Sequence, residues 1–145
     1  MHVIKAADIK IESFIENLDS SGLPEEDPER TVIETDGFYN YNDSSVILTY
    51  SEKGDGGEVS SEVRASGDTV TVIRRGAIES EFRFRRGEEY STLYSVPPYK
   101  FDTTIRSRRV GTELSESGGK IELLYNMKIG GAEKSVRMKI WIQAN

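Results

Sequence analysis

Cysteine is absent from this chain of 145 residues, and His2 is its one histidine. Without thiols there is no disulfide framework, no thiolate metal site and no cysteine nucleophile. A single histidine cannot build a multi-histidine metal centre. It also leaves no plausible Ser–His–Asp triad. No apolar run approaches the ~20 residues of a membrane-spanning helix. The start, Met1-His2-Val3-Ile4-Lys5, lacks the basic beginning and apolar middle of a secretion signal. These absences weigh against an enzyme, predict no cofactor and no metal, and point to a cytoplasmic protein that does not enter membranes. The length suits one domain, residues 1–145, large enough to bury a core without staples.

Basic side chains are scarce in the first part of the chain. Residues 1–63 carry 4 basic and 15 acidic groups, whereas residues 64–145 carry 15 basic and 10 acidic, for an overall charge of −6. A chain split this way either presents two faces of opposite potential or pairs its charges across strands once folded.

What is present is β-strand chemistry. Runs of Val, Ile, Thr, Tyr and Phe recur between turns of Gly, Asn, Asp and Ser. Residues 3–16 alternate, with Val3, Ala7, Ile9, Ile11 and Ile15 sharing one parity. Residues 17–29 form a polar loop holding Ser20-Ser21-Gly22, Pro24 and Pro28, the least ordered interior stretch expected. Further strands are expected at 30–41, 45–51, 58–65, 69–74, 77–85, 88–94, 100–114, 120–129 and 132–142. Gly118-Gly119 and Gly130-Gly131 read as turns, and Val96-Pro97-Pro98-Tyr99 interrupts the pattern. About ten strands joined by short hairpins, with no convincing helix, predict an all-β antiparallel sandwich or barrel, with an up-and-down meander favoured over a Greek key.

The last hairpin can be read to single residues. If Gly130-Gly131 is a two-residue loop, Ile129 faces Ala132, Tyr125 faces Val136, Leu123 faces Met138 and Ile121 faces Ile140. On the other face Lys128 meets Glu133 and Glu122 meets Lys139. A slip of one residue would mix the two faces. Trp141 falls on the polar face, partly exposed or covered by the first strand.

The second half carries a longer pattern. It comprises Gly67-Asp68-Thr69-Val70-Thr71-Val72-Ile73-Arg74-Arg75-Gly76, Phe82-Arg83-Phe84, Gly87, Tyr94 and Pro97. Thr103-Thr104-Ile105-Arg106-Ser107 follows, then the stretch from Leu114-Ser115-Glu116-Ser117-Gly118-Gly119 to Lys120-Ile121-Glu122-Leu123-Leu124-Tyr125. In order and spacing this resembles the YwiB-like family of small proteins from Firmicutes, from about Thr35 to the C-terminus. The resemblance implies a calycin-like (lipocalin-like) β-barrel. The family is of uncharacterised function and brings no catalytic residues. This chain departs from it at Val96-Pro97-Pro98-Tyr99-Lys100, where the family tends to have Thr-Pro-Tyr-Gly.

Arginines are the most distinctive side chains: Arg74, Arg75, Arg83, Arg85, Arg86, Arg106, Arg108 and Arg109 lie within residues 74–109. Around a two-residue Arg86-Gly87 loop, Arg85 would face Glu88 and Arg83 would face Tyr90. Arg106, Arg108, Val110, Thr112 and Leu114 share a parity. If the last three point inward, the two arginines enter the barrel, where guanidinium needs a carboxylate or another anion. A bulge near Arg108-Arg109 would instead turn them outward.

The candidate ligand-binding residues are therefore Arg83, Tyr90, Tyr94, Arg106 and Arg108, and no residue is assigned a catalytic role. The expected function is non-catalytic binding of a small ligand, an anion among the candidates, at the barrel mouth or lumen. A protein-interaction module using a barrel face or strand edge is the alternative, and an enzyme acting on an anionic substrate comes third. The acidic balance argues against nucleic acid.

Overall fold

The computed structural model describes residues 2–25, 27–54 and 56–145. Met1, Glu26 of the acidic loop and Asp55 of the glycine turn lie outside the described residues.

Ten strands follow one another: β1 (His2–Leu18), β2 (Glu29–Asn42), β3 (Ser45–Gly54), β4 (Gly57–Ser66), β5 (Thr69–Gly76), β6 (Ser80–Arg85), β7 (Glu89–Val96), β8 (Tyr99–Ser115), β9 (Gly118–Ile129) and β10 (Ala132–Ala144). Among the described residues there is no helix, and so none that could cross a membrane. The sheet order is β6-β5-β4-β3-β2-β1-β10-β9-β8-β7. Neighbours in sequence pair antiparallel except β6 and β7, and β1 joins β10, so the expected meander wraps into a nearly closed barrel.

Alternation explains why these segments are strands. In β4 the side chains of Val59, Ser61, Val63 and Ala65 are buried, while Ser60 and Arg64 between them are exposed. The two periodic sets separate because successive side chains leave a pleated strand on opposite faces. The β9–β10 register is the one expected from sequence, including Tyr125 with Val136 and Ile121 with Ile140. Its turn glycines, Gly130 and Gly131, have φ of 55° and 85°, which only glycine adopts freely. Trp141 lies opposite Lys10 of β1, whose ammonium sits 5.3 Å from the indole centroid.

Several boundaries differ from the sequence reading. The turn between β8 and β9 is Glu116-Ser117, and Gly118-Gly119 already belong to β9. A Cβ on Gly119 would collide with the Glu113 carbonyl, and one on Gly118 with that of Ile142. These glycines therefore serve close strand approach rather than a turn. β6 starts at Ser80 instead of residue 77, because the Ala77 amide donates to the Glu58 carbonyl (3.1 Å) and leaves the ladder. The Pro97-Pro98 segment, with a cis bond, is the β7–β8 turn. The facing charges Glu122 and Lys139 form no close pair. Glu122 instead takes Lys120 of its own strand at 3.0 Å, which holds its carboxyl below the usual range.

The barrel closes at a seam between β6 and β7. Among the described residues, backbone bonds join the seam at its two ends. Glu79 and Ser95 exchange amide bonds of 2.8 Å each. At the other end the Glu88 amide donates to the Arg85 carbonyl (2.9 Å). Side chains cover the interval: the Tyr90 hydroxyl donates to Glu81 (3.2 Å), and the Phe82 and Tyr94 rings lie 6.1 Å apart.

Candidate functional site

One half of the barrel interior is solid and the other half is hollow. Tyr39, Leu48, Val63, Ile121, Leu123 and Ile140 are fully buried in the solid half. There the Tyr39 hydroxyl donates to the Ser115 carbonyl (2.7 Å), and burial first, then the neighbouring Tyr41, pushes its pKa up to about 12. Towards the other end a cavity of about 410 Å³ opens, walled by Ile15, Ile33, Val72, Val136, Met138 and an aromatic group, among others. The aromatic group is Phe82, Phe84, Tyr94 and Tyr125, with Phe84 and Tyr125 centroids 4.6 Å apart. Glu52, Lys53 and Lys134 also border the cavity, towards its opening. A hollow of about 420 Å³ on the outer wall borders Trp141, but the Lys10 ammonium already covers that ring.

Arg74 belongs to the lumen wall. The registers place Tyr50, Ser61, Arg74 and Ser80 side by side on β3, β4, β5 and β6. Arg74 shares the inward parity of Val70 and Val72, both buried, and it lines the cavity. Its neighbours Ser61 and Ser80 are buried and small, which leaves the guanidinium room. The Arg74 Nε is buried and has no hydrogen-bond partner. Among the described residues no carboxylate forms an ion pair with Arg74. Glu52, the one acid on the lumen wall, instead accepts a long bond from Ser61 Oγ (3.5 Å).

The field of Arg74 is felt on both sides. Burial pushes the Tyr125 phenol up to about 12, and the Arg74 charge opposes that rise. Burial also raises the Tyr50 pKa, again against the pull of Arg74. The guanidinium therefore acts on phenols from β3 and from β9, across the hollow end. A cation with an unbonded buried N–H in an apolar wall is an unusual arrangement, because such groups cost free energy unless paired.

The residues singled out from sequence are dispersed. Tyr94 lines the cavity. Tyr90 sits at the seam, where its hydroxyl binds Glu81 rather than facing Arg83. Arg83 is on the outer face with Glu88 at 3.3 Å, and Arg85 bridges Glu88 and Asp68 there. β8 contains a bulge between Ser107 and Arg109, with Arg108 as the unpaired residue. Thr103, Ile105 and Ser107 are buried before it, and Val110 and Thr112 face the inward Leu123 and Ile121 after it. The bulge restores the apolar parity on both sides and leaves Arg106 and Arg108 exposed on the outer wall. The inward alternative for these two arginines is thereby corrected. Arg74 was not singled out, because the adjacent Val72-Ile73 blurs the alternation of β5. The signal available was parity with Val70.

The comparisons fit this architecture. The profile of a domain of unknown function, DUF1934, matches residues 15–140. The chain belongs to the DUF1934 family. A DUF1934 relative, the uncharacterized β-barrel protein YwiB of Bacillus subtilis (strain 168), is 30% identical over 112 residues, covering 76% of this chain and 79% of that one. The crystal structure of the B. subtilis ywiB protein superposes with a TM-score of 0.86 at 25% identity, over 98% of this chain and 93% of that one. DUF1934 membership brings a β-barrel fold and no assigned activity.

Proposed function

We propose that this barrel is a binding protein that takes one small, largely apolar molecule into the hollow half of its lumen, without turning it over. The observation that carries this reading is the cavity of about 410 Å³ at one end of an otherwise close-packed interior. Protein cores fill to crystal-like density, so a half-empty barrel lined by isoleucine, methionine and aromatic rings has the character of a ligand site. The absence of turnover is supported by the wall chemistry. Among the described residues no two of its ionisable side chains, Glu52, Lys53, Arg74, Tyr94, Tyr125 and Lys134, form an ion pair or hydrogen bond with each other, so no paired acid and base is assembled there.

The test uses N-phenyl-1-naphthylamine, a neutral probe that fluoresces in apolar surroundings. Wild-type protein, unfolded and refolded to strip it, should bind the probe saturably with one site per chain. Ile78→Trp and Ser13→Trp, two substitutions at cavity-lining positions, should reduce binding while circular dichroism remains that of a β-barrel. No saturable fluorescence gain with the wild type, or equal gain with both folded tryptophan variants, overturns the reading.

A further inference from the structure

We infer that the molecule bound in the lumen is a monocarboxylate with an apolar body, its carboxylate held by Arg74. This rests on the lumen-binding reading above and adds the chemistry of the ligand's polar end.

The first ground is the unmatched charge. Arg74 stands in the cavity wall with a buried, unbonded Nε, and Glu52, the only carboxylate on that wall among the described residues, is not paired with it. A guanidinium keeps its proton under all relevant conditions, so it cannot escape burial by becoming neutral. An anion brought by the ligand supplies the missing partner.

The second ground is the number of charges. The interior offers one guanidinium, with the Glu52 carboxylate on the same side of the lumen. One negative charge is matched there, whereas a second would face Glu52. Lys53 is exposed and Lys134 is half-buried like Arg74, but among the described cations of this wall only Arg74 has a buried nitrogen without a partner. A carboxylate carries one charge and meets the planar guanidinium through two parallel bonds. A phosphate monoester carries nearly two.

The third ground is shape. Beyond Arg74 the wall combines the aromatic rings of Phe82, Phe84, Tyr94 and Tyr125 with the flexible or aliphatic side chains of Met127, Val136 and Met138. The cavity of about 410 Å³ equals roughly a dozen water volumes, so a molecule on the order of ten to fifteen heavy atoms fits. Octanoate and 3-phenylpropanoate fall in this class.

The experiment is competition against N-phenyl-1-naphthylamine at fixed ionic strength and neutral pH. Competitors are octanoate, 3-phenylpropanoate, octyl phosphate and octan-1-ol. Proteins are the wild type, Arg74→Met, Arg74→Lys and the outer-wall control Arg106→Ala/Arg108→Ala. Octanoate and 3-phenylpropanoate should displace the probe from wild type and control alike. Arg74→Met should keep the probe and octan-1-ol but lose octanoate by roughly tenfold or more, the factor expected for charge-assisted bonds. Arg74→Lys should recover part of that loss. Octyl phosphate outcompeting octanoate through Arg74 would overturn the carboxylate assignment and leave the lumen reading intact. Equal octanoate binding by wild type and Arg74→Met would remove Arg74 from the site. Failure of the probe itself to bind the wild type would instead overturn the lumen reading.

Discussion

Replacing Arg74 by methionine should make the ligand-free protein more stable. The substitution removes a charge and keeps an unbranched stem of similar reach inside the barrel. In the wild type the Arg74 Nε is buried without a partner, and the guanidinium has no ion pair among the described residues. A buried donor left unbonded costs about 1–3 kcal/mol. Methionine has no such donor, and its thioether packs against Val72, Phe82 and Tyr125 as an adaptable apolar group. The expected gain is therefore about 1–3 kcal/mol, or roughly 3–10 °C in Tm for a domain of this size. Urea denaturation of refolded, ligand-stripped protein measures it, with an unchanged m-value showing that the denatured state is the same. Stripping matters because a ligand at about 100 times its Kd adds about 2.7 kcal/mol to the form that binds it. Saturating octanoate should thus narrow or reverse the order of the two proteins. If the stripped Arg74→Met protein is less stable than wild type by about 1 kcal/mol or more, Arg74 is holding the fold and the reasoning fails.

Other predictions follow from the same geometry. Tyr39 and Tyr125 have pKa values raised from 10.0 to about 12, so the native state favours their neutral forms. That stabilisation is complete below pH 10 and is lost as pH rises from 10 towards 12. The Tyr125 part alone is worth about 3 kcal/mol. Urea midpoints should fall steeply across that window, and a flat profile between pH 10 and 12 would refute the burial of these phenols. Gly119→Ala places a Cβ against the Glu113 carbonyl at a backbone φ of 144°, so it should cost about 2 kcal/mol or more in thermal or chemical unfolding. Tyr39→Phe removes the bond to the Ser115 carbonyl and should cost about 1 kcal/mol, with N-phenyl-1-naphthylamine binding at the far end unchanged.

Much of the architecture is legible in the sequence because strand pairing is a local problem. The β9–β10 register follows from one turn, since Gly130-Gly131 admits a two-residue loop and the side-chain period then assigns every later partner. The turns expected at 42–44 and 66–68 are each shorter by one residue, with Asp43 and Ser44 between the paired Asn42 and Ser45 and with Gly67 and Asp68 between Ser66 and Thr69. Local pairing logic fails where a strand has no hairpin partner along its length. β6 and β7 are sequence neighbours that reach the two ends of the sheet, so their seam depends on how far ten twisted strands curl. The ion pairs were also poorly foretold. Opposite position on a ladder brought Glu122 near Lys139, yet the flexible Lys120 side chain on the same strand reached it first.

For the candidate site the division is sharper. Composition and alternation alone determined that this chain makes an antiparallel meander of strands with one apolar face. They also left the direction of Arg106 and Arg108 to a single undecided residue. The tertiary structure decided that direction, because one extra residue in β8 lets the apolar parity hold on both sides of Ser107 and Arg109. It also decided which arginine is inside. Consecutive hairpins set Arg74 two strands from Tyr50, and closure of the sheet adds Tyr125 of β9 within electrostatic reach of its guanidinium. Where the lumen is filled and where it is hollow depends on side chains contributed by strands from both ends of the chain, so it is a property of the closed barrel and of no segment within it.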